Sequence, residues 1–169
     1  AINQRGQLEI QYKSITGSPE PRRVIAPHAL FHAVGRWYVR AWSTEHSDFR
    51  DYNLFRIDQA GDITATAIDH TLDFEWMHEI DLILAPNPAL SESQQAALHA
   101  EYDMTEGRLV VTKRLSQTFY LMTEHNFDVA PDTLPPGKQQ LVLLNRDEVV
   151  NARTTARKLS IDATERASR

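Results

Sequence analysis

Hydrophobic and polar residues alternate along the first third of the chain with the period of two that is typical of β-strands. Leu8, Ile10 and Tyr12 alternate with polar residues, which predicts a half-buried strand over residues 8–13. Further strands are expected over 22–26, 28–33, 36–42, 49–57 and 63–68. Turn residues at 16–19, 34–35 and 60–62 separate these strands, and no crossover helix fits between them. The pattern therefore favours a small antiparallel barrel or sandwich.

The rest of the chain mixes strand and helix patterns. Strands are expected over 80–85, 109–113 and 140–144. A capping box at Ser91 and Gln94 predicts a helix over 92–103, and apolar residues at Leu115, Phe119 and Met122 predict an amphipathic helix. A loop is expected over 132–137, and the polar residues from 146 onward form at most a short, fraying helix. We therefore expect a β-barrel domain over 1–70, a connector over 71–79, an α/β domain over 80–145 and a polar tail over 146–169.

The expected strand over residues 36–42 has two chemically different faces. Its core face is expected to hold Trp37, Val39 and Ala41. Its opposite face is expected to present Arg36, Tyr38, Arg40 and Trp42. Guanidinium groups beside aromatic rings suit the stacking of flat ligands and the binding of anions. This second face is therefore the first candidate for function.

The net charge of −5 is unevenly distributed. Residues 1–57 hold eight Lys and Arg against five acids, whereas residues 57–107 hold eleven acids and no Lys or Arg. An anionic partner is therefore expected to meet the basic N-terminal part, unless both segments are only solvated surface.

Several other kinds of chemistry have little support. The chain has no cysteine and only isolated glycines, and it lacks a nucleophile elbow and a phosphate-binding loop. His28 and His32 are four residues apart, but that spacing aligns metal ligands only on a helix. The carboxylates and imidazole of residues 73–79 fall in the connector, which is expected to be solvated. We therefore expect no enzyme, no metal site and no cofactor.

Composition also bears on location. No apolar run approaches the roughly 20 residues of a membrane-spanning helix. Residues 1–9 lack the apolar core of a signal peptide. A cytoplasmic protein without membrane contact is therefore expected.

The strand over 49–57 adds further basic and aromatic side chains at one parity, namely Arg50, Tyr52 and Arg56. If this strand neighbours the strand over 36–42, four arginines and three aromatic rings converge on one face, where they could stack a base and hold phosphates. In the alternative, the rings pack the barrel and the arginines pair with nearby acids, Glu45, Asp48 or Asp51. Asp51 is expected to orient an arginine. His28 is either an anion donor or a satisfied, half-buried side chain.

Four motifs occur in order within the first 60 residues: Leu-Glu-Ile-Gln-Tyr at 8–12, Pro-His-Ala-Leu at 27–30, the 36–42 strand, and Phe-Arg-Asp-Tyr at 49–52 followed by Arg56-Ile57. Together they resemble the WYL domain of bacterial transcriptional regulators, whose naming tripeptide appears here as Trp37-Tyr38-Val39. Residues 88–122 resemble the C-terminal extension that often follows that domain. The second and fourth motifs are most similar to the repressors that control phage-defence operons.

The resemblance implies an Sm-like small barrel that senses a nucleotide or a nucleic-acid fragment and signals to a DNA-binding winged helix. Carried over onto this chain, the ligand-binding positions are Tyr12, His28, Tyr38, Arg40, Arg50 and Arg56. Further possible positions are Arg36, Trp42, Tyr52 and Asn53. Many family members have a second arginine where this chain has Asn53, which bears on how many phosphates the pocket can hold.

The sequence thus predicts an α+β fold, with an N-terminal antiparallel Sm/SH3-like β-barrel followed by a smaller mixed α/β domain. The expected function is the ligand-sensing and dimerising portion of a regulator, with a nucleotide or oligonucleotide as effector and a homodimer as assembly. It would reach operator DNA only through a winged helix that this sequence lacks, which favours a fragment over a stand-alone sensor. The alternatives are a barrel that binds single-stranded nucleic acid directly without switching, and an oligomerisation module whose arginines form ion pairs.

Overall fold

Two antiparallel sheets carry the fold, one of six strands and one of three. They are seen in a computed structural model that describes residues 1–15, 22–130 and 133–167. The chain divides into a first unit, Ala1–Phe74 with Ala156–Arg169, and a second unit, Glu75–Thr155. The predicted α+β class is confirmed.

The six-stranded sheet belongs to the first unit. Its strands are β1 (Gly6–Tyr12), β2 (Arg22–Ala33), β3 (Arg36–Ser43), β4 (Asp48–Asn53), β5 (Ile57–Ala60) and β6 (Thr64–Ala65). The spatial order is β4-β3-β2-β1-β5, with β6 also paired to β1. Short 3₁₀ helices occupy Ile2–Gln4, Leu54–Arg56 and His70–Leu72. Within the described residues, the edge strands β4 and β5 do not pair with each other. The predicted closed barrel is therefore not confirmed.

The turn expected at residues 34–35 is a tight hairpin between β2 and β3. Val34 and Gly35 both have positive φ angles, 48° and 66°, as a two-residue type I′ turn requires. Ala33 pairs directly with Arg36 across this turn. The turn expected at 16–19 lies outside the described residues.

The two strands expected over 22–26 and 28–33 form a single strand, β2. Proline lacks an N–H group and is tolerated in a sheet at a bulge, where one residue leaves the ladder. The pairing with β3 shifts in this way between Pro27 and Ala29. The bulge therefore places His28 outside the regular alternation of side chains.

The strand expected over 49–57 is interrupted. Asn53 accepts a hydrogen bond from the backbone N–H of Phe55 at 3.0 Å and so caps the 3₁₀ helix Leu54–Arg56. The chain then continues as β5. The strand expected over 63–68 is reduced to Thr64–Ala65.

Both faces of the six-stranded sheet bury apolar side chains. One face packs Ile10, Ile25, Val39, Ala41 and Tyr52. The other packs Ala26, Trp42 and Phe49, with Ile68 of the following segment against them. Val39 and Ala41 are core residues as predicted, but Trp37 remains 47% exposed because it lies beside the hairpin turn. The strand is therefore not simply apolar on one face and polar on the other.

The second unit contains the three-stranded sheet, with the order β8-β7-β9. Its strands are β7 (Glu79–Pro86), β8 (Leu109–Arg114) and β9 (Leu141–Leu143). Its helices are α2 (Glu92–Glu101), α3 (Leu115–Glu124) and all but the first residue of α1 (Phe74–Met77). The predicted capping box is confirmed, since Ser91 and Gln94 exchange side-chain to backbone hydrogen bonds. The core consists of Leu82, Leu84, Met122, Phe127, Leu143 and Val149.

The polar tail is helical over 22 residues, as α4 (Arg146–Ala167). The expectation of a short, fraying helix is therefore wrong. Within the first unit, the buried positions of α4 are Ala156, Ser160 and Thr164, which recur every four residues. The two hydroxyls each donate to the carbonyl four residues earlier, at 3.0 and 2.9 Å. A buried stripe of such small side chains has little hydropathy, which explains why the apolar pattern missed it.

Within the described ranges, no helix combines the length and apolar character that crossing a membrane requires.

The second core allows a direct test. Leu82 is fully buried on the central strand β7, whereas Val110 on β8 is 55% exposed. We expect Leu82→Ala to lower the free energy of unfolding by about 2–5 kcal/mol, because it leaves a cavity in a packed core. Urea denaturation followed by circular dichroism measures this. Val110→Ala is the matched control, and an equal loss in both variants would contradict the assignment of this core.

Candidate functional site

The register between β3 and β4 decides which predicted residues share a face. Arg40 lies opposite Asp51, whereas Arg50 lies opposite Ala41 and Tyr52 lies opposite Val39. Because directly opposed residues of an antiparallel pair project to the same side, Arg40 and Arg50 project to different sides. The two strands are neighbours as expected, but the predicted convergence of all their arginines on one face is wrong.

Arg40 lies in a buried ion-pair network. Its Nε and Nη2 donate to the two carboxylate oxygens of Asp73, both at 2.8 Å, and its Nη1 donates to Asp51 at 3.2 Å. His28 Nε2 lies 2.9 Å from the same Asp73 carboxylate, and the His28 ring stacks on His70. The bidentate geometry is the strong form of this interaction. Asp51 thus orients an arginine, as expected.

The electrostatics of Asp73 follow from this geometry. Burial is the largest single influence and favours the neutral acid, but the hydrogen bonds and charges of Arg40 and His28 outweigh it. Together they hold the pKa of Asp73 below its ordinary value. The expectation of a solvated connector is wrong here, since Asp73 is buried on Arg40 and Glu75 is buried and accepts from Arg153 at 3.1 Å.

The remaining predicted residues on the Arg40 face have different environments. Arg36 is exposed, and Tyr38 stacks on Phe31 with 5.4 Å between ring centroids. Trp42 is buried edge-to-face against Phe49. Asn53 is buried as the cap of the 3₁₀ helix. None of these four residues lines the cavity described next.

A separate group of predicted residues surrounds a cavity of about 220 Å³, called the Arg50 cavity below. Its lining consists of Tyr12, Ser14, Ile15, Arg23, His46, Arg50, Asp51, Tyr52 and Arg56. Tyr12 packs edge-to-face on Tyr52, and its hydroxyl accepts a hydrogen bond from the Asn53 backbone N–H at 3.2 Å. Of the predicted positions, the structure therefore brings together Tyr12, Arg50, Tyr52 and Arg56.

The arginines of the Arg50 cavity differ in how they are neutralised. Arg23 is buried and forms an ion pair with Glu45. Arg50 is only loosely paired, with its Nε 3.9 Å from Asp48. Arg56 forms no ion pair with any residue in the described ranges. Within the part of the chain that the structure describes, Arg50 and Arg56 therefore remain incompletely neutralised.

Two residues that line the Arg50 cavity, His46 and Tyr52, have shifted pKa values. The pKa of His46 is lowered by burial and then by the nearby charges of Arg50 and Arg23. Burial raises the pKa of the Tyr52 phenol. The lowered pKa of His46 reflects its burial and the positive charge of these arginines, and the raised pKa of Tyr52 favours its neutral phenol.

Four residues of the Arg50 cavity were not predicted from the sequence, namely Ser14, Ile15, Arg23 and His46. Arg23 pairs with Ile10 across β1 and β2, and Ile10 is a core residue. An arginine at an inward-facing strand position was the available signal. His46 lies in a turn, where no periodicity predicts its direction.

A larger cavity of about 780 Å³ also lies in the first unit, but it has a different chemistry. Its lining is mostly aliphatic, from Leu8, Ile10, Leu30, Val39 and Ile57, and His28 is its one titratable side chain. It lacks the arginines that an anionic ligand requires.

Comparison with known families assigns both parts of the chain. Residues 1–61 match the WYL domain, and residues 79–149 match the family described as BrxR transcriptional regulator, C-terminal dimerization domain. The two matches identify a WYL domain over residues 1–61 and a BrxR-type C-terminal dimerization domain over residues 79–149.

Its curated relatives include proteins named DNA-binding transcriptional repressor CapW. The protein from Stenotrophomonas maltophilia is 32% identical over 151 residues, and that from Pseudomonas aeruginosa is 31% identical over 149 residues. Each match covers 88% of this chain and 50% of the relative. The chain thus spans about half the length of these relatives. The predicted resemblance to phage-defence repressors is confirmed.

Among solved structures, the chain matches the proteasome accessory factor B/C (PafBC) of Arthrobacter aurescens at 15% identity and a TM-score of 0.37. The match covers 96% of this chain and 26% of that one.

The Arg40 network predicts a large effect on stability. We expect Arg40→Met to lower the free energy of unfolding by about 3–5 kcal/mol, because it removes the main partner of a buried carboxylate. The control is Arg36→Met on the same strand, which is exposed and should change stability by less than about 0.5 kcal/mol. Urea denaturation distinguishes them. If Arg40→Met were as stable as Arg36→Met, the network would have no structural role.

The lowered pKa of Asp73 predicts acid sensitivity. A carboxyl group whose folded pKa lies below its unfolded value contributes stability above the unfolded pKa, about 3.9, and loses it as the pH falls through the folded value. We therefore expect Asp73→Asn to be less stable at neutral pH and to lose stability less steeply than the wild type below about pH 4. Denaturant midpoints measured across this range test it, and parallel pH profiles would contradict it.

Proposed function

We propose that this chain is the ligand-sensing and dimerising part of a transcriptional regulator, and that it binds a nucleotide or a short nucleic acid in the Arg50 cavity. The observation that carries the proposal is the meeting of Arg23, Arg50 and Arg56 with Tyr12 around one cavity. Guanidinium groups suit phosphate, and a half-buried tyrosine offers a ring to a sugar or base.

The size of the cavity limits what enters it. Its volume of about 220 Å³ lies below the roughly 300–1,000 Å³ of cavities that enclose a whole drug-sized ligand. We therefore infer that it holds a phosphate group with its adjoining sugar, while the remainder of a longer ligand lies outside. The alternative of a barrel that binds single strands directly uses the same arginines, but it does not require a preference for short ligands.

We also infer that the six-stranded sheet curls into a small Sm-like barrel. β4 and β5 lie at the two ends of the strand order, yet only Leu54–Arg56 separates them in sequence. Four strand spacings of a flat sheet cover about 19 Å, whereas the four Cα–Cα steps from Asn53 to Ile57 span at most about 14 Å. The hydrogen bond between Tyr12 of β1 and Asn53 of β4 supports the same curvature. Curling would bring Tyr12 and Arg56 to Arg50.

The match to a dimerization domain supports a homodimer, and the repressor names of the relatives support a role in transcription. Half of each relative's length lies outside the match. We infer that operator DNA is bound through such a further element, and that the effector alters repression by binding to the WYL domain.

Calorimetric titration tests the ligand. We expect 5′-phosphorylated tetradeoxythymidylate or a cyclic dinucleotide to bind the wild type. Arg50→Gln and Arg56→Gln should each weaken binding about 10- to 100-fold, because each removes a hydrogen bond from a charged donor to phosphate. Arg36→Gln is the matched control, since it removes an exposed arginine of β3 that does not line the cavity.

The possible outcomes separate the candidate functions. Equal binding by all four proteins would exclude the Arg50 cavity as the site. Binding that grows with oligonucleotide length and falls steeply with salt would favour the direct single-strand-binding alternative. Light scattering after size exclusion tests the homodimer, and a monomer at micromolar concentration would contradict it.

A further inference from the structure

Asp48 is a buried carboxylate that is shared by two arginines from different parts of the chain. It lies at the start of β4 and is 2% exposed. Arg157 of α4 donates to its Oδ2 from Nε at 2.9 Å and from Nη2 at 2.5 Å. Arg50 Nε lies 3.9 Å from the same oxygen. One carboxylate oxygen therefore faces two guanidinium groups.

The hydrogen bonding between Asp48 and its two arginines is incomplete. The second oxygen of Asp48, Oδ1, is buried without a hydrogen-bond partner among the described residues, and so is Nε of Arg50. Buried polar atoms of this kind are costly when unpaired. A small rotation of Arg50 toward Asp48 would let its Nε donate to that carboxylate. The same rotation would withdraw the Arg50 guanidinium from the cavity.

Arg157 opposes that rotation. Its two hydrogen bonds neutralise Asp48 and thereby lower the attraction between Asp48 and Arg50. The segment that carries Arg157 is fixed in the first unit, since Ser160 accepts a hydrogen bond from the Phe74 backbone N–H at 2.9 Å and Ala156 is buried. Arg157 itself does not line the Arg50 cavity.

We propose that Arg157 is a positioning residue for the anion site: by neutralising Asp48, it keeps the Arg50 guanidinium available to a bound phosphate. This inference rests on the proposed function of the Arg50 cavity. Asp48 and the phosphate compete for Arg50, and Arg157 biases the competition toward the phosphate. Because such coupling is reciprocal, a bound phosphate also strengthens the attachment of the α4 segment 156–167 to Asp48.

Variants of the 169-residue chain test this with the same 5′-phosphorylated tetradeoxythymidylate probe at one fixed salt concentration. We expect Arg157→Gln to weaken binding roughly 5- to 20-fold, the range of a modest coupling between two sites. Arg157→Lys retains a charge near Asp48 and should restore most of the affinity. Lys158→Gln, which removes an equal charge from the neighbouring exposed position of α4, should bind like the wild type.

The Asp48→Asn background distinguishes positioning from a general structural role. Asp48→Asn should bind the probe at least as tightly as the wild type, because Arg50 loses its competitor. Adding Arg157→Gln in that background should cause no further loss. Hydrogen exchange adds a second measurement, since the probe should slow amide exchange over residues 156–167 in the wild type but not in Asp48→Asn. Thermal melts confirm that each variant is folded.

The outcomes are separable from those of the proposed function. Equal probe binding by the wild type and Arg50→Gln would overturn the anion site itself. Loss of binding in Arg50→Gln with normal binding in Arg157→Gln would leave the site intact and overturn the positioning role. An equal loss from Arg157→Gln with and without Asp48 would also overturn it, because Arg157 would then act by another route.

Discussion

The bidentate ion pair between Arg40 and Asp73 is the contact on which the first unit depends. It attaches a segment 33 residues downstream to the middle of the six-stranded sheet, and it explains two features that are otherwise unconnected. The bulge after Pro27 accompanies the contact of His28 with the same carboxylate, and the segment after β6, which contains little regular structure, contacts the sheet through Asp73. A buried carboxylate is tolerated only with such partners, so the sheet and the connector require each other.

This arrangement divides the basic residues of the WYL motifs into two roles. Arg40 and His28 bind Asp73 and stabilise the fold. Arg50 and Arg56 line the Arg50 cavity and are incompletely neutralised by the described residues. The distinction rests on the partners of each side chain and not on residue type. An arginine that is paired with two carboxylates is largely neutralised and attracts a phosphate weakly. An arginine whose nearest carboxylate is distant keeps most of its attraction for a phosphate.

Local patterns predicted most of the strands but not the long-range pairs. The alternation at Leu8, Ile10 and Tyr12 predicted β1, and the Val34-Gly35 turn predicted the hairpin, because both depend on neighbouring residues. Counting parity could not show that Arg40 faces Asp51 while Arg50 faces Ala41, since register depends on which residues pair across strands. Arg23 and Asp73 were missed for a similar reason, as their partners are distant in sequence or lie in a turn. α4 was missed because Ala156, Ser160 and Thr164 are small.

The first unit is discontinuous, since it combines Ala1–Phe74 with Ala156–Arg169. During synthesis, the strands of the sheet emerge from the ribosome well before Arg157 and Ser160. Asp48 and the backbone N–H of Phe74 therefore lack these partners until the whole second unit has been synthesised. Domains tend to fold as units in the order of synthesis. The second unit is continuous and complete before Ala156–Arg169 is synthesised, so its folding does not depend on that last segment.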